Sequence, residues 1–191
     1  MTIGDLSLRM LESAKKLLAE HGCAADAQLF PAESMPFPDV SFDLVTVRVA
    51  PHHFSSPPAF LGEVARVLKP GGHFLLIDGA VPDDDPETGY WLNRVEKWRD
   101  GSHVQLIAPS QWRAMVEAAS MQVLRCETYP RLQPDLGWYF ETARTPPDSR
   151  RKVLDAIRAA SPEVRRAMQL KEDDGRVTWQ WTMVTLLAQA P

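Results

Sequence analysis

Two adjacent histidines, His52 and His53, follow the β-branched run at 42–50 after a single proline, Pro51. An unperturbed imidazole titrates near neutrality, so either ring could take a proton from an acceptor hydroxyl. Their position adds weight, because ligands of open α/β sheets gather at the carboxyl ends of the strands. The competing role is structural: a ring hydrogen-bonded to the backbone of its own loop. His52, His53, His103 and Asp78 carry metal-ligating atoms, but without the close spacing of a zinc site, and no metal is expected. Six tryptophans leave room for an aromatic pocket as well as for a core.

The elements that must position these groups are legible from periodicity. Leu8, Leu11, Ala14, Leu17 and Leu18 recur on one face of a helix at 8–19, which Ser7 caps and Gly22 ends. A buried strand is expected at 27–30, before Pro31. The run at 42–50 is too continuously apolar for a half-exposed strand and predicts a central strand covered on both faces. A helix at 59–68 then ends at Lys69-Pro70-Gly71-Gly72, and a strand follows at 73–78. Strand, helix, strand is a βαβ unit, so the sheet should be mainly parallel.

Beyond it, helices are expected at 89–100 and 109–120 and a strand at 122–128. Residues 134–170 read as helical pieces broken at Pro146-Pro147 and Ser161-Pro162. Val177, Trp179, Trp181 and Met183 alternate as a final strand, antiparallel after an Asp174-Gly175 turn.

The 191 residues, 45% hydrophobic, suit one domain. A net charge of -4 with no long run of either sign argues against a nucleic-acid partner. Two cysteines make no disulfide framework and fit a cytoplasmic protein, and no apolar stretch is long enough to span a bilayer.

Three segments together, GDLSLRMLESAKK at 4–16, AESMPFPDVSFDLVTVRVAPHHF at 32–54 and EVARVLKPGGHFLLID at 63–78, resemble class I S-adenosylmethionine-dependent methyltransferases of the ubiquinone-biosynthesis type. The likeness continues through SHVQLIAPSQWRAMVEAAS at 102–120. It implies a Rossmann-like three-layer sandwich with an antiparallel last strand, and a helical lid at about 79–108 and 134–170. None of the ten glycines falls in a GxGxG arrangement. The resemblance therefore implies a partial domain without the family's first strand and glycine-rich turn, its opening residues being the second strand met in mid-run. In the family order 3-2-1-4-5-7-6, that separates the second and third strands from the fourth to seventh.

The same resemblance assigns roles. Asp5 would accept hydrogen bonds from the ribose hydroxyls, with Leu6 and Ser7 beside it, or else favour a helix dipole. Met10 would lie against adenine, or in the core. Pro31, Ala32 and Glu33 occupy the turn where the family has Gly-Asp-Ala-Glu, so Pro31 removes one adenine contact. Arg48 and Val49 would meet the methionine part of the cofactor, the guanidinium pairing its carboxylate, or Arg48 would pair with Asp43 or Glu63. In related small-molecule enzymes a histidine at His52 or His53 works with an aspartate that maps to Asp78. Trp91, Trp98, Trp112, Trp138, Tyr139 and Phe140 would wall the acceptor or fill the core.

The implied activity is methyl transfer to an oxygen, nitrogen or carbon of a small molecule. The alternative is a non-catalytic homologue that binds a partner or dimerises through an exposed sheet edge.

Overall fold

The computed structural model describes residues 1–133, 135–173 and 175–191. Strand β1 (Thr2–Asp5), helix α1 (Leu8–Glu20) and strand β2 (Asp26–Leu29) form a small unit, with β1 and β2 parallel in a sheet of their own. Ser7 caps α1 as expected, its hydroxyl accepting from the Met10 amide. The burial expected of this unit is not met. Of the predicted helix face only Leu11 is buried, and Leu29 stays exposed on β2. Two strands of four residues are too narrow a platform to cover a helix face of three turns.

Strand β3 (Phe42–Arg48), a 3₁₀ turn (Pro51–His53), helix α2 (Pro57–Val67) and strand β4 (Leu68–Ala80) form the expected βαβ unit. Helix α3 (Pro86–Arg99), helix α4 (Pro109–Ala118) and strand β5 (Gln122–Leu132) follow. Helices α5 (Leu136–Thr142), α6 (Pro147–Arg158) and α7 (Pro162–Ala167) break where the prolines require. Strands β6 (Lys171–Asp173) and β7 (Arg176–Thr178) pair antiparallel, and β8 (Gln180–Gln189) ends the chain. Asp174 of the expected turn lies outside the described residues.

The main sheet has the order β3-β4-β8-β5, with β3 parallel to β4 and β8 antiparallel to both its neighbours. Two expectations change. The run at 42–50 is an edge strand of the described sheet, paired on one side only, and Leu44 is exposed on it. The alternation at 177–183 is split between β7 and β8 at Trp179, whose ring is drawn into a core edge-on to Tyr139 at 4.7 Å.

One buried cluster joins Phe60, Leu61 and Val64 of α2 to Phe74 and Leu76 of β4, Trp112 and Val116 of α4, and Leu186 of β8. Each such side chain is worth about 1.5–3 kcal/mol by burial. A second cluster gathers Leu92 and Val95 of α3 with Tyr139, Phe140, Val153, Ile157 and Trp179. At its centre the buried Glu96 accepts from the Tyr139 hydroxyl at 3.0 Å, the Trp181 indole at 3.1 Å and Arg99 at 3.0 Å. Burial, then the Glu96 charge, pushes the Tyr139 hydroxyl well above its ordinary range.

The small unit is tied to the main sheet by an aromatic chain. The Phe30 ring meets Phe37 edge-on at 5.2 Å, and Phe37 meets Phe42 of β3 at 5.0 Å. Phe30 also lies so close over Gly4 that a Cβ there would force its ring to shift.

Candidate active site

Alternation along β4 puts Asp78 on the same face as Phe74 and Leu76, so its carboxylate arrives at the carboxyl end of the strand 1% exposed. A buried carboxylate needs donors. Both come from His52: its backbone N–H donates to Asp78 Oδ2 at 2.8 Å and its ring Nδ1 to Oδ1 at 2.7 Å. A carboxylate only accepts, so Nδ1 carries a proton, and in the neutral ring the lone pair is on Nε2. The parallel register makes this meeting possible, since Arg48 at the end of β3 stands opposite Ile77, next to Asp78, and the 3₁₀ turn folds His52 back over the strand end.

Two more imidazoles close the cluster. The His53 ring lies 4.1 Å from that of His52, and His103 lies 5.7 Å away. Ser102 Oγ donates its proton to Asp100 at 2.6 Å, so His53 Nδ1 must be the donor to Ser102 Oγ at 3.2 Å. His103 is 2% exposed and bonds through Nε2 to Asn93 Oδ1 at 3.0 Å. Asn93 accepts from the Leu106 amide and donates to the Leu106 carbonyl, which settles its orientation and makes His103 Nε2 the donor. Burial first, and then the neighbouring His52 and His53, push His103 down to about 4. His53 is lowered by burial and then by His52. Among the described residues no group of three or more His, Cys, Asp or Glu is placed to hold a metal.

The loops around this cluster are held by side chains. Burial pulls Glu33 upward, but hydrogen bonds from the Ser55 amide at 2.8 Å, the Ser55 hydroxyl at 2.9 Å and the Ser56 amide at 3.3 Å outweigh it and lower its pKa. Val49 sits between β3 and the 3₁₀ turn at φ 51°, a conformation that a β-branched residue adopts only under constraint. Its amide donates to the Ile77 carbonyl at 2.8 Å. Gly79, beside Asp78, has Leu106 so close that a side chain would displace it.

A methyltransferase domain model matches residues 1–76. Over 162 residues the chain is 36% identical to the uncharacterized methyltransferase YcgJ of Bacillus subtilis (strain 168), which covers 84% of this chain and 63% of that protein. The chain thus spans less than two thirds of that relative's length. The crystal structure of YcgJ matches with a TM-score of 0.88 at 30% identity, over 99% of this chain and 81% of that one. The BH2331 protein of Bacillus halodurans C-125, described as a candidate methyltransferase, matches with a TM-score of 0.92 at 29% identity, over 100% of this chain and 82% of that one. The ubiquinone/menaquinone biosynthesis C-methyltransferase UbiE of Desulfotalea psychrophila is 40% identical over 82 residues, covering 43% of this chain and 32% of that protein.

The chain belongs to the S-adenosylmethionine-dependent methyltransferase family.

The sheet order β3-β4-β8-β5 with an antiparallel β8 agrees with the class I methyltransferase fold, and β1 and β2 pair in a sheet of their own. The residues the family assigns to its cofactor divide between these two sheets. Asp5 ends β1; one carboxylate oxygen accepts from the Ser7 amide at 2.7 Å and, among the described residues, the other has no hydrogen-bond partner. Leu6 and Met10 beside it are exposed although apolar. A free carboxylate oxygen next to uncovered apolar side chains suits the ribose and base of a nucleoside. Pro31 is exposed, while Ala32 packs against the main core. Arg48 is exposed, and neither structural partner considered for it is engaged with it: Asp43 pairs with Lys69 and Glu63 with Arg66.

Of the aromatic residues assigned to an acceptor wall or to the core, Trp112, Tyr139 and Phe140 are buried in the two clusters, and Trp91 and Trp98 pack against the second. Sequence reasoning did not single out Asn93, Asp100 or Ser102. The Asp100-Gly101-Ser102 run carries a turn signal, but nothing in the spacing of Asn93 points to His103.

Proposed function

We propose that this protein transfers a methyl group from S-adenosylmethionine to a hydroxyl of a small molecule, with His52 as general base and Asp78 as the group that orients it. The observation that carries this reading is the grip of one buried carboxylate on both the backbone and ring of His52, which leaves Nε2 as the free basic nitrogen. Family membership supports methyl transfer, and the dyad favours oxygen among the oxygen, nitrogen and carbon acceptors considered. The cofactor, when bound, supplies an already reactive methyl group, so the chain's task is to position the acceptor and take its proton. Asp5, Leu6, Ser7 and Met10 would hold the adenosine part. Ala32, Glu33, Arg48 and Val49, with Pro31 at the turn, would line the side toward β3. His53, held by Ser102, would support the ring of His52. A cytoplasmic setting agrees with the two unpaired cysteines, and no helix is long and apolar enough to cross a membrane among the described residues.

Calorimetric titration with S-adenosylmethionine tests the first half: absence of binding to folded 191-residue protein sinks the reading. Asp78→Asn tests the second. A drop in kcat of about 10²–10⁴ with cofactor affinity retained is expected, whereas an unchanged kcat would remove the dyad from the reaction.

A second reading has its own observation. Strand β3 is hydrogen-bonded on one side only, with Leu44 56% exposed on it and Val49 41% exposed just beyond its end, which favours a non-catalytic homologue that associates through this edge. Light scattering distinguishes it, because a dimer abolished by Leu44→Lys would support association.

A further inference from the structure

We propose that Asp100 is a positioning residue of the site: by holding the hydroxyl proton of Ser102 it fixes the tautomer of His53, so that two unprotonated imidazole Nε2 atoms, of His52 and of His53, are presented together. This rests on the methyl-transfer reading and adds to it a second basic nitrogen and the residue that sets it.

Two carboxylates serve the histidine pair, each from a different element. Asp78 arrives buried on β4 and binds His52 directly. Asp100 caps the carboxyl end of α3, half-buried, and reaches His53 through one hydroxyl. The turn at Asp100-Gly101-Ser102 makes this possible, because Asp100 Oδ1 accepts from the Ser102 amide at 2.8 Å and from the Ser102 hydroxyl at 2.6 Å. The first bond fixes where the hydroxyl stands, and the second commits its only proton. A hydroxyl oxygen whose proton is spent can only accept. His53 Nδ1, 3.2 Å away, therefore carries a proton, and in the neutral ring Nε2 is bare.

The groups around this arm keep it in that state. Burial pulls Asp100 upward, but its two bonds from Ser102 outweigh that and hold it below its ordinary range, so it remains an ionised acceptor. The cations of the same helix end are engaged elsewhere: Lys97 Nζ donates to the carbonyls of Gly101 and His103, and Arg99 to Glu96, Thr142 and the Tyr139 carbonyl. Burial, and then the neighbouring His52, lowers His53 and favours its neutral ring. The third imidazole is set the other way, since His103 spends its Nε2 proton on Asn93. The bare Nε2 pair is thus particular to His52 and His53, whose rings lie 4.1 Å apart.

Each of these two histidines is backed by a carboxylate, one directly and one through a hydroxyl. A proton leaving an acceptor hydroxyl has two places to go. The O–H bond breaks and an N–H bond forms at Nε2 of either ring, with a carboxylate behind the ring to offset the new imidazolium.

Nitrogen NMR of protein isotopically labelled at histidine, recorded at mildly alkaline pH where the rings are neutral, reads which ring nitrogen carries the proton. In the unaltered protein His53 should be protonated on Nδ1. Asp100→Ala frees the Ser102 hydroxyl to donate to His53, and the ratio of Nδ1–H to Nε2–H on that ring should fall about tenfold, the worth of one hydrogen bond to a charged group. Asp100→Asn keeps an acceptor oxygen and should keep the tautomer. Ser102→Ala, at an exposed position, removes the acceptor for Nδ1–H and should move the ratio the same way as Asp100→Ala, which keeps the test open should that variant not fold. A His53 protonated on Nε2 in the unaltered protein, a ratio unmoved in the folded alanine variants, or an Asp100→Asn that behaves like Asp100→Ala would overturn the proposal. A parallel titration with S-adenosylmethionine separates the two ideas: absent cofactor binding beside the expected tautomers defeats methyl transfer alone, and the wrong tautomer beside intact cofactor binding defeats the role of Asp100 alone.

Discussion

Helices α1 and α2 each present apolar side chains at helical spacing, yet their fates differ. Helix α2 lies on the main sheet and buries Phe60, Leu61, Val64 and Val67. Helix α1 lies on the β1–β2 pair and buries Leu11 alone, with Leu17 56% exposed. Local pattern therefore declares which face of a helix is apolar, while the width of the neighbouring sheet decides whether that face is covered. The difference also runs through function. The proposed base rests on the well-packed part, at the end of β4, whereas the carboxylate assigned to the ribose rests on the sparsely packed part, at the end of β1.

The contrast can be broken or sharpened by measurement. The largest effect should come from Phe74→Ala, which empties the main core and should cost about 3–5 kcal/mol in chemical denaturation. A loss below 1 kcal/mol would erase the distinction between the two regions.

Acid should act on the same well-packed side. His103 stays neutral in the fold down to about 4, while the unfolded chain binds that proton near 6.5. Between these values the unfolded state holds the extra proton, so stability falls as pH drops through the window and levels off below it. The loss is on the order of 3 kcal/mol, and His53 adds to it in the same direction. Denaturation midpoints followed from pH 7 to pH 4 read this directly, and His103→Asn should flatten the profile.

Phe37→Ala should have an intermediate effect, about 1–2 kcal/mol, by cutting both edge-on ring contacts that tie the small unit to β3. Faster amide exchange confined to residues 1–37 is the expected signature; exchange spreading into β4 would show that the two parts unfold together. The smallest effect belongs to Leu17→Ser, within about 0.5 kcal/mol, because its side chain is already in water. A cost above 1.5 kcal/mol would mean that α1 is covered in solution.

Much of the fold was legible. Ser7 as a cap, the βαβ unit from β3 to β4, the proline breaks before α6 and α7 and an antiparallel last strand all follow from local rules of capping, periodicity and backbone geometry. The exposure of the run at 42–50 was not legible, because an apolar run reads the same whether its outer neighbour is a strand or solvent. In the site, His52, His53 and Asp78 were found as separate candidates. The nitrogen of His52 that faces Asp78, the proton on His103 Nε2 and the grip of Glu33 on Ser55 and Ser56 were not, since each depends on partners that are far apart in sequence.

By itself, then, the sequence determined the order and type of the elements, the family and the residues able to do acid–base chemistry, because capping, periodicity and motif spacing act over a few neighbouring residues. Only the tertiary structure decided that Asp78 is buried with both oxygens on His52 and that Asn93 of α3 joins His103 to the same cluster. Those facts depend on strand register and on helices packed across the sheet, which bring together residues 10 to 26 positions apart.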